Sequence, residues 1–170
     1  LALARDGEIF VSDGYGNARV HRFNPEGQLI QSWGVPGDGP GQFHLPHGVC
    51  LDSNQRVFVA DRENNRLQIF STDGEFLEQW TDVARPTNIF IDAEDNVFVS
   101  EEGMRGGLFP WMEPDLAATG GRVSIFSKQG SLLARWGGGD DPCAPTDFFV
   151  PHDVWIDSRG SIYIGEVTWA

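Results

Sequence analysis

Val57-Phe58-Val59-Ala60-Asp61-Arg62-Glu63-Asn64-Asn65-Arg66-Leu67-Gln68-Ile69-Phe70 reads as two short β-rich runs. An acid and an Asn-rich turn separate them. Both parts recur. The first run returns as Ile9-Phe10-Val11-Ser12-Asp13, as Val97-Phe98-Val99-Ser100-Glu101 and as Ile162-Tyr163-Ile164-Gly165-Glu166. The second returns as Arg19-Val20-His21-Arg22-Phe23 and as Arg122-Val123-Ser124-Ile125-Phe126, and each copy leads to a tryptophan: Trp33, Trp80 or Trp136. Ahead of the first run stand Leu45-Pro46-His47-Gly48-Val49, Arg85-Pro86-Thr87-Asn88-Ile89 and Val150-Pro151-His152-Asp153-Val154.

Two distances hold constant. Proline to the aromatic of the first run is 12 residues in three copies, and Phe to Trp is 10 in three copies. Each repeat therefore holds four short alternating strands joined by tight turns such as Asp73-Gly74 and Gln129-Gly130, and no helical period competes. The predicted class is all-β: a β-propeller of four-stranded antiparallel blades. The copies cover about 1–46, 47–86 and 87–151, with a stub at 152–170, so residues 1–170 form one partial propeller domain of about three and a half blades. A closed ring needs roughly four to eight. Either the chain continues beyond both ends or two copies associate to complete the ring. An open half-ring leaves apolar sheet faces uncovered.

The variable distances fall on one side. Acid to Phe takes 10, 9 or 25 residues, and Trp to Pro takes 13, 6 or 15. Both connections lie on the face where the first strand of each blade begins, here called the top. Loops that vary over a constant scaffold are where function is expected. The longest, Gly103 to Gly121, carries Leu108-Phe109-Pro110-Trp111-Met112, expected to pack locally or to form a lid over a central pocket.

Composition narrows the partners. Asp and Glu total 25 against 12 Lys and Arg, for a net charge of −13, and Lys128 is the one lysine. A phosphate-tracking nucleic-acid surface and attachment to an anionic membrane are both disfavoured. No apolar run approaches the roughly 20 residues of a membrane helix. The start shows neither a signal peptide nor an initiator Met. The sequence is expected to be a processed or excised piece, secreted or periplasmic if a signal segment precedes it. Cys50 and Cys143 fit one disulfide or two free thiols.

Four histidines divide into two groups. His21 is expected to face outward on a third strand, and His44 to be exposed in a Gly-rich loop. His47 and His152 both follow Pro at the start of an innermost strand, with Thr87 at the equivalent place between them. Equivalent positions are related by rotation about the channel, so imidazoles from alternate blades can converge at its mouth. In a six-bladed ring a third histidine upstream would complete a His₃ set with one open position, as in catalytic zinc, although imidazole also suits other transition metals. In the loops after the acids, Asp13, Asp61, Asn17, Asn65, Arg19 and Arg66 are expected to build the turns, Arg pairing with Asp. Tyr15 and Arg62 are not needed for that. A tyrosine beside a metal can serve as base or acid, and an arginine can clamp a carboxylate. Glu101-Glu102 is expected to be solvated charge.

At these residues the chain resembles the NHL repeats, and more specifically the peptidyl-α-hydroxyglycine α-amidating lyases. The matching segments are Val11-Ser12-Asp13-Gly14-Tyr15, Gly41-Gln42-Phe43-His44-Leu45-Pro46-His47, Ala60-Asp61-Arg62-Glu63-Asn64, Pro151-His152-Asp153 and Ile162-Tyr163-Ile164-Gly165. The resemblance implies a six-bladed ring with zinc at the channel mouth. It implies cleavage of a carbinolamide C–N bond, giving an amide and glyoxylate from a small-molecule or peptide substrate. It implies His47 and His152 as two of three zinc ligands, Tyr15 as general base, Arg62 as an active-site arginine that would hold the substrate carboxylate, and Asp153 as a ligand of structural calcium. The family's first zinc histidine and a second arginine belong upstream of Leu1. Gly16 stands where the family has a cysteine, Val150 where it has a methionine, and the Gly103–Gly121 insertion has no counterpart. The competing expectation is a non-catalytic propeller that binds a protein partner through its top loops.

Overall fold

A computed structural model describes residues 1–103 and 119–167. The 103–121 insertion, including Leu108 to Met112, falls outside them apart from its ends. Three four-stranded antiparallel sheets follow one another along the chain, then a two-stranded one. The first is β1 (Ala2–Leu3), β2 (Ile9–Asp13), β3 (Arg19–Phe23) and β4 (Leu29–Trp33). A short parallel pair, β5 (Val35–Pro36) and β6 (Gln42–Phe43), leads into β7 (Pro46–Leu51), β8 (Val57–Asp61), β9 (Arg66–Phe70) and β10 (Phe76–Trp80). The third sheet is β11 (Pro86–Ile91), β12 (Val97–Glu101), β13 (Arg122–Phe126) and β14 (Leu132–Gly137), and the last pair is β15 (Pro151–Ile156) with β16 (Ile162–Glu166). The inner strands β7, β11 and β15 pack successively against one another, as radial blades require. No helix among the described residues is long and apolar enough to cross a membrane.

Strand β8 shows why Val57-Phe58-Val59-Ala60 is apolar without a break. Val57 and Val59 enter a core shared with the first blade, beside Phe10, Val20 and Phe43, whereas Phe58 and Ala60 enter a second core with Ile89, Val97 and Phe126 of the third. Alternation is present, but both faces are covered. The constant Phe-to-Trp spacing has an equally direct cause. Trp33 packs 5.9 Å from Phe70 of the next blade and Trp80 packs 5.8 Å from Phe126. The turn glycines beneath them, Gly74 (φ +75°) and Gly130 (φ +81°), combine a left-handed turn with close approach to those indoles.

In every blade after the first, the recurring acid ties the top. Asp61 accepts from His44 N and Glu101 from Ala84 N, while Glu166 accepts from Phe149 N and Val150 N. The residue before each proline then accepts from the residue after the acid: Arg62 N to Leu45 O, Glu102 N to Arg85 O and Val167 N to Val150 O. Arg122 on Glu101 (2.7 Å) is a pair the sequence did not suggest, whereas the expected Arg–acid pairing forms in the second blade, Arg66 on Asp61 (2.8 Å). It does not form in the first. Arg19 is exposed, and Asp13 instead takes Asn17 (2.9 Å) and His21 (3.2 Å). His21 is thereby half-buried between Asp13 and Ser32 rather than facing outward, and His44 is exposed.

The reading of Glu101-Glu102 as solvated charge is corrected. Glu101 is fully buried with Arg122 and Ser124, and Glu102 is buried against Arg85. Two adjacent carboxylates look solvated in sequence, but here one belongs to a strand between blades and the other to the loop beneath the site. Burial raises the pKa of Glu101, with Arg122 and Ser124 opposing. Both cysteines are free thiols, Cys50 half-buried and Cys143 exposed, and burial pushes the Cys50 thiol up. Trp155, Tyr163 and Leu3 are exposed on the outermost sheets.

Candidate functional site

His47 and His152 are the second residues of β7 and β15. Their rings meet edge to face with centroids 4.8 Å apart. A shallow depression at this point is lined by Leu1, His47, Gly48, Thr87, Asn88, His152 and Asp153. The backbone of the intervening blade sets the orientation of His47. Its Nδ1 donates to Thr87 O at 2.7 Å, so Nε2 keeps the lone pair and points toward the mouth. A metal-binding imidazole is commonly held by such a bond at its remote nitrogen. Burial is the main reason the His47 pKa lies below the ordinary 6.5, with Arg62 and His152 adding to it and the Thr87 carbonyl opposing.

Gly48 makes that bond possible. A Cβ there would stand 2.7 Å from Thr87 O and 2.9 Å from Asn88 Cα, both backbone atoms. Gly48→Ala is expected to cost about 1–3 kcal/mol through overpacking, read as a lower urea midpoint, and to break the Nδ1 bond. An unchanged midpoint would show that the inner strands can separate freely.

Tyr15 and Arg62 come to the same mouth from two other loops. Tyr15 follows Gly14, which lies so close to Pro46 O that a side chain there would collide with it. The phenol oxygen lies 3.2 Å from His47 Nε2, and the rings meet edge to face at 5.7 Å. The Arg62 guanidinium lies over the Tyr15 ring, 5.5 Å from its centroid, with NH1 3.4 Å from the phenol oxygen. Arg62 also donates from Nε to Glu63 (2.9 Å), and Glu102 lies 3.8 Å from NH1. Burial works against its charge, but Glu102 and Glu63 outweigh this and raise the pKa. The expected carboxylate clamp is thus already engaged by protein carboxylates.

Asp153 sits beside His152, where Oδ1 accepts from Asn88 Nδ2 and from Val154 N. Among the described residues no group of three or more His, Cys, Asp or Glu side chains is gathered around one metal position. The pair His47–His152 fits two places of a nitrogen-ligated ion, since the rings converge and His47 Nε2 bears a lone pair. For calcium the described residues provide no comparable set. Sequence reasoning missed Glu63, Arg85, Glu102 and the Thr87 carbonyl. Glu102 could have been found, because it directly follows the repeat acid just as Arg62 does.

The three radial sheets are those of a partial β-propeller, and the NHL repeat matches residues 43–70. In sequence it is similar over nearly its full length to amidating enzymes. It is 34% identical over 168 residues to mouse peptidyl-glycine alpha-amidating monooxygenase, covering 94% of this chain and 16% of the relative. It is 31% identical to Drosophila melanogaster peptidyl-alpha-hydroxyglycine alpha-amidating lyase 1, covering 98% and 32%. It is also 32% identical to mouse NHL repeat-containing protein 3, covering 95% and 44%. The chain thus spans less than half of these relatives. Among solved structures, the virginiamycin B lyase of Staphylococcus aureus superposes with a TM-score of 0.66 at 12% identity, covering 96% of this chain and 47% of that one. That likeness is one of fold.

Proposed function

We propose that the full-length protein is a zinc-dependent lyase that cleaves the C–N bond of α-hydroxyglycine-type carbinolamides to an amide and glyoxylate. One observation carries this reading: the Tyr15 hydroxyl, the lone-pair nitrogen of His47, the His152 ring and the Arg62 guanidinium come together from four loops and strands at the channel mouth. The similarity to the fly lyase supports it.

His47 and His152 would hold the ion, which when bound supplies Lewis acidity toward the substrate hydroxyl. Tyr15, once its own phenol proton has left to solvent, would take the hydroxyl proton. The electron pair left on oxygen forms the glyoxylate carbonyl. The C–N bond breaks toward nitrogen, which takes back that proton from the re-formed Tyr15 phenol and leaves as the primary amide. Arg62 places positive charge beside the carboxylate end of the substrate.

The test is glyoxylate release from α-hydroxyhippuric acid by the full-length protein, with zinc content measured in parallel. Wild-type protein is expected to bind zinc and turn over, and His47→Ala to lose both. Wild-type protein that releases no glyoxylate overturns the lyase. In that case, the similarity to NHL repeat-containing protein 3 favours the non-catalytic propeller that binds a protein through its top loops.

A further inference from the structure

We propose that Arg85 is a positioning residue which, through Glu63 and Glu102, holds the Arg62 guanidinium against Tyr15. The inference rests on the lyase reading for its kinetic consequence but not for its structural one.

Four side chains of alternating sign close a ring beneath the site. Arg62 Nε donates to Glu63 Oε1 (2.9 Å), and Arg85 NH1 donates to Glu63 Oε2 (2.5 Å). Arg85 NH2 donates to Glu102 Oε2 (3.1 Å), the same oxygen that stands 3.8 Å from Arg62 NH1. Two arginines and two glutamates balance. The ring joins two blades: Arg62 and Glu63 form the turn after β8, whereas Arg85 precedes β11 and Glu102 follows β12. The Arg85 and Glu102 side chains are 8% and 9% exposed, so the attraction is little screened by water.

The backbone of Arg85 is committed to this place. Its φ is +49°, a left-handed value unfavourable for a residue with a side chain, and its N–H donates to Asn65 Oδ1. Arg85 neutralises both carboxylates from below. Without it, both carboxylates face one cation, Arg62, and Glu102 closes the remaining gap to NH1. The guanidinium is then drawn down and away from the phenol. Arg85 itself is bonded to Asn65, Glu63 and Glu102 and not to Tyr15 or the histidines, so its influence passes through Arg62.

The experiment uses full-length protein carrying Arg85→Gln, Arg85→Lys or Arg62→Ala, and the double variant Arg62→Ala/Arg85→Gln. A crystal structure of Arg85→Gln is expected to show Arg62 rotated off the Tyr15 ring onto Glu102. With α-hydroxyhippuric acid, kcat is expected to fall roughly tenfold in Arg85→Gln, about 1.4 kcal/mol of transition-state stabilisation. Arg85→Lys should recover part of that loss. In the Arg62→Ala background, Arg85→Gln should change kcat less than about twofold, because residues acting as a unit are not additive. Arg62 still seated on Tyr15 in the variant crystal, or the same tenfold loss in both backgrounds, overturns the proposal. Wild-type protein inactive toward the substrate would refute the lyase while leaving the crystallographic comparison to decide the role of Arg85. If Arg85→Gln does not fold, the double variant Arg85→Gln/Glu102→Gln replaces it: with the pull of Glu102 removed as well, Arg62 is expected to stay on the Tyr15 ring, and its displacement there overturns the proposal.

Discussion

Tyr15→Phe in the full-length protein is expected to lower kcat for glyoxylate release by about 10²–10⁴-fold, the range supplied by a positioned acid–base group. Stability should hardly change. Tyr15 is 77% exposed, and its ring contacts to His47 and Arg62 survive the substitution. Only the hydroxyl disappears, and with it the contacts at 3.2 Å to His47 Nε2 and 3.4 Å to Arg62 NH1. Substrate affinity should change far less than kcat, because the aromatic wall and the Arg62 cation remain. Turnover by Tyr15→Phe within a factor of about two of wild type would remove Tyr15 from the proton-transfer step and move that role to another group.

Asp61→Ala is expected to destabilise the fold by about 3–5 kcal/mol, the cost of leaving one partner of a buried ion pair uncompensated. Asp61 is fully buried and receives His44 N, Asn64 Nδ2, Arg66 Nε and Gln68 Nε2. Removing it strands the buried Arg66 guanidinium, whose other bonds go to the neutral acceptors Asp38 O, Gly39 O, Gln42 O and Gln79 Oε1. It also releases the strap of residues 38–44 from the top of the blade. Asp13→Ala provides the comparison. Asp13 occupies the same place in the first blade, but its side chain is 37% exposed, and its loss should cost less than about 1 kcal/mol. Urea unfolding of both variants checks the pair. Equal losses would show that the repeat acid matters through the turn itself and not through its buried partners.

Both expectations depend on features that the sequence reveals unequally. The strands were legible because their cause is local. The β-rich apolar run Val57 to Ala60, the glycines of the turns and the regular return of Phe and Trp each express a contact that recurs from blade to blade. Repetition turned a weak signal at one position into a strong one at three. The meeting of His47 and His152 was legible for the same reason, since a shared position in a repeat implies a shared radius from the axis. Arg19 escaped the pattern because His21, two residues further along the same strand, competes for the same carboxylate.

The charge ring was not legible as a ring: Arg62 and Glu102 share the place after a repeat acid but differ in charge, and nothing in the repeat links them to Arg85. Glu102 looks like a surface acid until Arg85 is seen against it. Arg85 looks like an ordinary loop residue until its left-handed backbone places it between two carboxylates. Periodic burial, turn chemistry and the radial stacking of strands are written in the order of residue types, since each depends on neighbours a fixed number of positions away. Which carboxylate is buried, which imidazole nitrogen is left open and which cation faces Tyr15 depend on how adjacent blades pack. Those outcomes are settled by distances and desolvation in the assembled fold, where a backbone oxygen such as that of Thr87 directs a histidine 40 residues away.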